Sequence, residues 1–174
     1  MKGKERRQQI IELLNTHGRP VNGTYLSQKL MVSRQVIVQD IAILRAKGTN
    51  IIATPRGYII PDYPESRYLK RIIACIHDNE GIEDELNTII SCGGRVIDVM
   101  VEHPLYGELR GMLMLFSKND VDDYINKLRA SNGKPLLVLT GGVHLHTIEA
   151  DSIKKLDMIE DKLREKGYFL DTKV

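Results

Sequence analysis

The segment Pro61-Asp62-Tyr63-Pro64-Glu65-Ser66 divides the 174-residue chain into two stretches with different residue patterns. Proline fixes φ and removes a backbone donor, so neither a helix nor a central strand runs through this segment. Before it, apolar residues recur three times at helical spacing and then form a short hairpin pattern. After it, strand and helix patterns alternate. A chain of this length allows one domain or two small ones. The divide predicts two, residues 1–61 and 67–174, with residues 62–66 as a linker.

In the first stretch the periodicity predicts a helix over about Lys4 to Thr16, with Ile10, Ile11, Leu13 and Leu14 on one stripe. Gly18 and Pro20 end it. A second, short helix is expected from Thr24, as N-cap, to Leu30. A third is expected from the N-cap Ser33 to about Lys47, with Ile37, Ile41 and Leu44 inward and Gly48 as terminator. Only Met31-Val32 connects the second helix to the third. Then follow Asn50-Ile51-Ile52-Ala53, a turn at Thr54-Pro55-Arg56-Gly57, and Tyr58-Ile59-Ile60. Pro and Gly at the second and fourth turn positions suit a type I turn between two short strands.

In the second stretch, strands are expected over Arg71–His77, Arg95–Glu102 and Leu109–Phe116, and a hairpin of Leu136–Thr140 with Val143–Glu149 around Gly141-Gly142. Helices are expected over Ile82–Cys92, after Ser117 to about Ala130, and over Ser152–Lys166. This is an α+β chain: an N-terminal winged helix-turn-helix order, then an α/β-sandwich of about 108 residues, large enough for one core.

The net charge of +2 hides an asymmetry across the divide. Residues 1–61 carry 10 Lys+Arg against 3 acids, a surplus of +7; residues 62–174 carry 15 against 20, a deficit of −5. A basic head and an acidic body suit a polyanion partner for the first module only. The remaining composition, 42% hydrophobic and 28% charged, is that of a globular protein and argues against disorder. Met112-Leu113-Met114-Leu115-Phe116 falls far short of the ~20 apolar residues that span a bilayer. The basic start has no apolar stretch after it that would make a signal peptide. A cytoplasmic protein with no membrane partner is expected, and its two cysteines, Cys75 and Cys92, are expected to be reduced and buried.

Short helix, tight turn, longer helix and basic hairpin is the order of a winged helix-turn-helix, whose third helix enters the major groove. Its first turns would present Ser33, Arg34, Gln35, Val38 and Gln39. Arg reads guanine, Gln reads adenine, and Val38 can touch a thymine methyl. Arg56, at the hairpin tip, would reach a phosphate or the minor groove. Lys2, Lys4, Arg6 and Arg7 would add phosphate contacts, which give affinity without readout. Bacterial operators are often two-fold, so a homodimer on double-stranded DNA is expected.

Four of the five histidines, His77, His103, His144 and His146, lie in the second module. Residues two apart on a strand share a face, so His144 and His146 can hold one ion. His77 lies beside Asp78, Glu80, Glu83, Asp84 and Glu85. Imidazoles with a carboxylate suit zinc, nickel, iron or cobalt. On a helix starting near Gly81, Glu83 and Glu85 flank the apolar stripe on opposite sides, and periodicity does not choose between them.

Two resemblances sharpen these readings. Glu5-Arg6-Arg7-Gln8-Gln9-Ile10, the run from Leu30 to Ile41 and Arg56-Gly57-Tyr58 resemble winged-helix regulators of the biotin-operon-repressor type. That family has Gly where this chain has Met31, and a side chain there costs ~1–2 kcal/mol in a left-handed conformation. Ala74-Cys75-Ile76-His77-Asp78, Val101-Glu102-His103-Pro104-Leu105-Tyr106-Gly107 and the run from Leu139 to Ile148 resemble the three-histidine domain. That domain occurs fused to such a winged helix in NiaR-like, niacin-responsive repressors of bacterial NAD biosynthesis.

The resemblance covers about residues 4–170. It implies a divalent transition metal, nickel or zinc, on His77, Glu85, His144 and His146, and so selects Glu85. It also implies nicotinic acid as co-repressor and NAD synthesis or niacin-uptake genes as targets. A pyridine nitrogen can ligate a metal with an open position. His103, Tyr106 and Arg110 are the candidates to meet the carboxylate. Two alternatives stay open: a metal-sensing repressor, and a bifunctional regulator with a metal-dependent enzymatic domain. No P-loop and no Ser-elbow motif supports catalysis, and no catalytic residue is expected.

Overall fold

The computed structural model describes residues 3–61 and 67–170. The chain forms two compact units, divided between Pro64 and Glu65. The expected linker, residues 62–66, and Lys2 lie outside the described residues.

The first unit contains α1 (Gly3–His17), α2 (Gly23–Lys29), α3 (Arg34–Ala46), β1 (Ile52–Thr54) and β2 (Gly57–Ile59). Its core holds Ile10 and Leu14 of α1, Leu26 of α2, and Ile37, Ile41 and Leu44 of α3, joined by Val21, Leu30 and Ile51, while Ile11 and Leu13 of the expected α1 stripe are only partly buried against it. Ser33 caps α3, its Oγ accepting from the Val36 N–H at 3.3 Å. At α2 the cap is Asn22 rather than Thr24: Asn22 Oδ1 accepts from the Thr24 N–H at 2.7 Å. Asparagine is the stronger N-cap, and the helix therefore starts one residue earlier than Thr24.

β1 and β2 pair antiparallel across Pro55-Arg56, and Val21 bridges Tyr58 through two backbone hydrogen bonds of 2.8 and 2.9 Å. That bridge requires Gly57, where φ is +136° and a Cβ would lie 2.2 Å from the Val21 carbonyl oxygen. Met31 takes the left-handed conformation (φ +54°) between α2 and α3, with its side chain 88% exposed. The turn is thus built in the conformation that favours glycine, with a methionine in it.

The second unit is a four-stranded antiparallel sheet in the order β3-β6-β4-β5, comprising β3 (Leu69–Ile76), β4 (Arg95–His103), β5 (Gly107–Leu115) and β6 (Val143–Ala150). Three helices, α4 (Gly81–Ser91), α5 (Lys118–Ala130) and α6 (Ile153–Glu165), share one core with it. Ile73, Ile148, Val96, Leu113 and Leu115 from the sheet meet Leu86, Ile89, Val121, Ile125, Leu156, Ile159 and Leu163 from the helices. Side chains alternate along β3, so Arg71, Ile73 and Cys75 face the helices. Arg71 bonds Asp157 and Glu160 of α6 at 2.8 and 2.9 Å, whereas Ile72 on the other face is 60% exposed. Ser117 closes a capping box with Asp120 at the start of α5.

One expected strand is absent. Leu136–Thr140 is a 3-10 turn, and Val143–Ala150 pairs with β3 and β4 instead of folding back on it. Pro135 precedes this segment, and Gly141 and Gly142 follow it at φ +62° and +99°. These residues make a tight local turn, while the apolar run Leu136-Leu137-Val138-Leu139 imitates a strand. Residues 168–170 add an unforeseen extended piece at the free edge of β3, with Tyr168 O accepting from Ile76 N–H and Leu170 N–H donating to Ala74 O.

Candidate functional site

On the first unit, Ser33, Arg34, Gln35, Val38 and Gln39 all lie exposed on the first two turns of α3, while Ile37, Asp40 and Ile41 face inward. Val38 is an exposed apolar side chain on an otherwise polar face. Arg56 sits half-buried in the β1–β2 turn. Arg6 and Arg7 are not free phosphate contacts. Both guanidinium groups bond the buried Asp40 carboxylate, at 2.5 and 3.0 Å, and so tie α1 to α3. The acid in the middle of α3 is thereby paired inside the unit, away from the exposed face of that helix.

On the second unit, sheet register and helix phase bring four of the predicted residues together. His144 and His146 point from β6 toward the helices, and both are buried. His77 lies just past the end of β3. Glu85 lies on α4 in phase with Ile82, Leu86 and Ile89, and is 1% exposed. Its carboxylate oxygen Oε2 lies 2.6 Å from His77 Nε2, 3.1 Å from His144 Nε2 and 3.4 Å from His146 Nε2. Glu83 instead lies on the surface, paired with Arg129. Gly81 makes room for the first of these rings: a Cβ there would lie 2.7 Å from Cγ and Nδ1 of His77.

The second nitrogen of each ring sets its tautomer. Nδ1 of His77 faces the Asp78 carbonyl oxygen at 2.7 Å, that of His144 the Gly142 carbonyl at 2.8 Å, and that of His146 the Asp98 carbonyl at 2.6 Å. A carbonyl only accepts, so each Nδ1 carries the proton and each neutral ring turns a lone pair at Nε2 toward Glu85. Three lone pairs aimed at a buried carboxylate repel it unless a cation lies among them, either protons or a metal. This backbone anchoring is also how imidazole ligands are oriented around metals.

The electrostatics follow from this geometry. Burial pushes the His146 and His77 imidazoles down, but the Glu85 carboxylate more than offsets this and leaves both raised. Burial likewise pushes Glu85 up, and the three histidines outweigh it, holding the carboxyl well below its ordinary range. Three imidazoles and a carboxylate form a donor set suited to borderline metals such as zinc, nickel or cobalt, and it fits the residues present. The cavity beside them is lined by Ile82, Val99, Leu113, Tyr124, Pro135 and Leu136 among others, and its free space is about 20 Å³. That is room for one water-sized body.

The other three predicted residues are placed elsewhere. His103 and Tyr106 belong to the β4–β5 hairpin, with rings stacked at 5.1 Å, and His103 Nδ1 accepts from the Leu105 and Tyr106 N–H groups. Arg110 lies on β5, bonded to Glu108 at 3.1 Å and 3.5 Å from Asp98. None of the three lines the cavity at the histidine cluster. Arg110 approaches it only indirectly, through Asp98, whose carbonyl holds His146.

Two participants had no sequence signal of their own. Asp98, buried in β4, also accepts from the Thr147 N–H at 2.9 Å. Cys75 lies directly opposite His144 in the β3–β6 register. Cys75, Glu85 and His144 offer ligand-type atoms within 4.8 Å of one another. The strand pairing that creates this proximity is hidden when β6 is assigned to a local hairpin.

Comparison with known proteins gives the same division of the chain. Residues 6–59 match an HTH domain and residues 70–172 match the 3H domain. The chain is 44% identical over 168 residues to the "Probable transcription repressor NiaR" of Thermotoga maritima, covering 97% of this chain and 95% of that one. It is 40% identical over 170 residues to the "Transcription repressor NadR" of Bacillus subtilis, covering 97% and 94%.

The chain belongs to the NiaR/NadR family of transcription repressors. Membership assigns a regulatory role, and DNA binding falls to the HTH domain. The histidine cluster lies within the 3H domain of the family. Among the described residues, no helix is long and apolar enough to cross a membrane.

Proposed function

We propose that this family member is a cytoplasmic homodimer that represses NAD biosynthesis and niacin-uptake genes, with nicotinic acid as co-repressor. Residues 1–61 serve as the DNA-binding head, 62–66 as the connection and 67–174 as the regulatory module. His77, Glu85, His144 and His146 hold one divalent metal, nickel or zinc. The observation that carries this reading is the set of three Nε2 atoms facing a single buried carboxylate oxygen, each fixed by a backbone carbonyl behind it. When bound, the metal supplies the positive charge that this arrangement requires and a site for a pyridine nitrogen.

Ser33, Arg34, Gln35, Val38 and Gln39 read the major groove, and Arg56 reaches the backbone or minor groove. Nicotinic acid is larger than the free space beside the cluster, so its entry requires side chains that line this space to move. The carboxylate contacts proposed for His103, Tyr106 and Arg110 require the β4–β5 hairpin to move as well, because none of the three lines that space. The small cavity also favours a second reading, a metal-sensing repressor in which the ion itself is the signal.

Calorimetry with nicotinic acid on metal-loaded and chelated protein tests the proposal. Saturable binding to the loaded form alone supports it. Stoichiometric metal without nicotinic acid binding favours the metal sensor, and protein that takes up no metal overturns both.

A further inference from the structure

We infer that Cys75 is a further ligand of the metal held by His77, Glu85, His144 and His146, and that its sulfur sets the metal preference of the site. The inference rests on the metal site proposed above. A buried cysteine is ordinarily a small apolar core residue, and three observations separate Cys75 from that case.

The first is register. Cys75 is the cross-strand partner of His144, and Ile73 that of His146, so Cys75 stands on the helix-facing side of the sheet in the row that carries both imidazoles. It also precedes His77 by two residues on the same strand path. The second is direction. Its sulfur lies within 4.8 Å of the Glu85 carboxylate, the group on which the three Nε2 atoms converge. It therefore reaches the cluster from the edge of the apolar core to which it also belongs. The third is spacing. Donor atoms of Cys75, Glu85 and His144 all lie within 4.8 Å of one another, close enough to reach one ion with small side-chain movements. The other cysteine, Cys92, lies at the end of α4, half-buried and outside this group.

The chemistry of a mixed nitrogen, oxygen and sulfur set is selective. Thiolate favours zinc, nickel and cobalt, whereas carboxylate and water sites favour magnesium and manganese. On binding, the Sγ–H bond breaks, a sulfur–metal bond forms and the proton leaves to buffer; nothing is oxidised or reduced. A single thiolate among imidazoles would thus make the repressor take up a borderline metal in a cell rich in magnesium.

Cobalt(II) tests this on the full chain. The loaded wild-type protein should show ligand-field bands in the visible and a thiolate-to-cobalt charge-transfer band in the near ultraviolet. Cys92→Ser should keep both. Cys75→Ser should keep the visible bands, lose the charge-transfer band, and lose at least tenfold in its preference for zinc over manganese. Zinc X-ray absorption on the wild-type protein, which needs no variant, should show a sulfur shell at about 2.3 Å. Stoichiometric cobalt with no charge-transfer band, a nitrogen–oxygen shell alone around zinc, or an unchanged band in Cys75→Ser overturns the role of Cys75 and leaves the four-residue site standing. Failure of the wild-type protein to bind cobalt or zinc overturns the site and this inference together.

Discussion

His146 Nδ1 lies 2.6 Å from the backbone carbonyl of Asp98, and the Asp98 side chain in turn accepts from the Thr147 N–H, one residue along β6. The two strands are thus locked at the point where the β4–β6 register shifts. Asp98→Ala removes the side-chain half of this lock and leaves a buried N–H unpaired. It should destabilise the protein by about 1–3 kcal/mol. It should also weaken metal affinity by a few-fold only, because the backbone carbonyl that holds His146 remains and loses just the side-chain contact that steadies it. Competition with a chelator measures the second effect and a denaturant melt the first. Unchanged metal affinity would disconnect Asp98 from the cluster.

Gly81 offers a gentler perturbation of the same cluster. Gly81→Ala puts a methyl group 2.7 Å from Cγ and Nδ1 of His77, at the root of the ring, so His77 itself must shift from its place in the cluster. Metal affinity should fall at least several-fold while the thermal midpoint of the chelated protein changes little. Equal losses in both would mean that the methyl group disturbs α4 itself.

The pH dependence of the metal-free protein carries a sign that can be worked out. Glu85 is lowered in the folded protein, so its contribution is present above its ordinary value of 4.5 and is lost as pH falls through the folded value. His77 and His146 are raised, so their contribution is present below their ordinary value of 6.5 and is lost as pH rises through the folded values. The cluster should therefore stabilise the chelated protein most between about pH 4.5 and 6.5. Bound metal replaces those protons, so the gap in melting temperature between loaded and chelated protein should widen from pH 6 to pH 8. A gap that is constant with pH would contradict proton–metal competition at this site.

Met31 should be replaceable with profit. Met31→Gly relieves a left-handed conformation that costs ~1–2 kcal/mol with a Cβ and adds unfolded-state entropy in return. A net gain of up to about 1 kcal/mol is expected in a denaturant melt, with operator affinity unchanged because the α3 face is untouched. A loss of stability would show that the exposed Met31 side chain makes contacts that the free unit does not reveal.

On the first unit, arginines of the same charge should behave differently. Arg34→Ala should cost ~1–3 kcal/mol of specific DNA binding if the side chain reads a base. Asp40→Asn should act mainly on stability, because it leaves the Arg6 and Arg7 guanidinium groups against a buried neutral amide. Binding to operator and random duplexes, set beside a melt, separates the two. A uniform loss across both duplexes for Arg34→Ala would make it a phosphate contact.

What could be read from the residues and what could not follows the range of the interactions. Ser33 and Ser117 cap the helices expected to follow them, and Ser152, expected as the first residue of the last helix, is its N-cap, because capping is decided within four residues. The stripe Ile37-Ile41-Leu44 is buried as its spacing requires, and so are Leu156, Ile159 and Leu163 of the last helix, whereas Ile153, expected on the same stripe, is 60% exposed in its first turn. Leu136–Thr140 misled because an apolar run next to Gly-Gly fits a strand and a short 3-10 turn equally well. That error concealed the long-range pairing of Val143–Ala150 with Leu69–Ile76, and with it the position of Cys75 beside His144. Glu85 against Glu83 was likewise undecidable from helical phase alone; burial in the folded unit separates them.

The most direct measurement of the central claim is the affinity of the protein for DNA upstream of NAD-synthesis genes. It should be titrated with nicotinic acid in metal-loaded protein, in chelated protein and in the His144→Ala/His146→Ala variant. If the metal site couples the effector to the operator, nicotinic acid must tighten binding in the loaded protein alone, and operator DNA must tighten nicotinic acid binding by the same factor. Operator affinity that follows the metal and ignores nicotinic acid, or that responds to nicotinic acid equally in all three proteins, would contradict it.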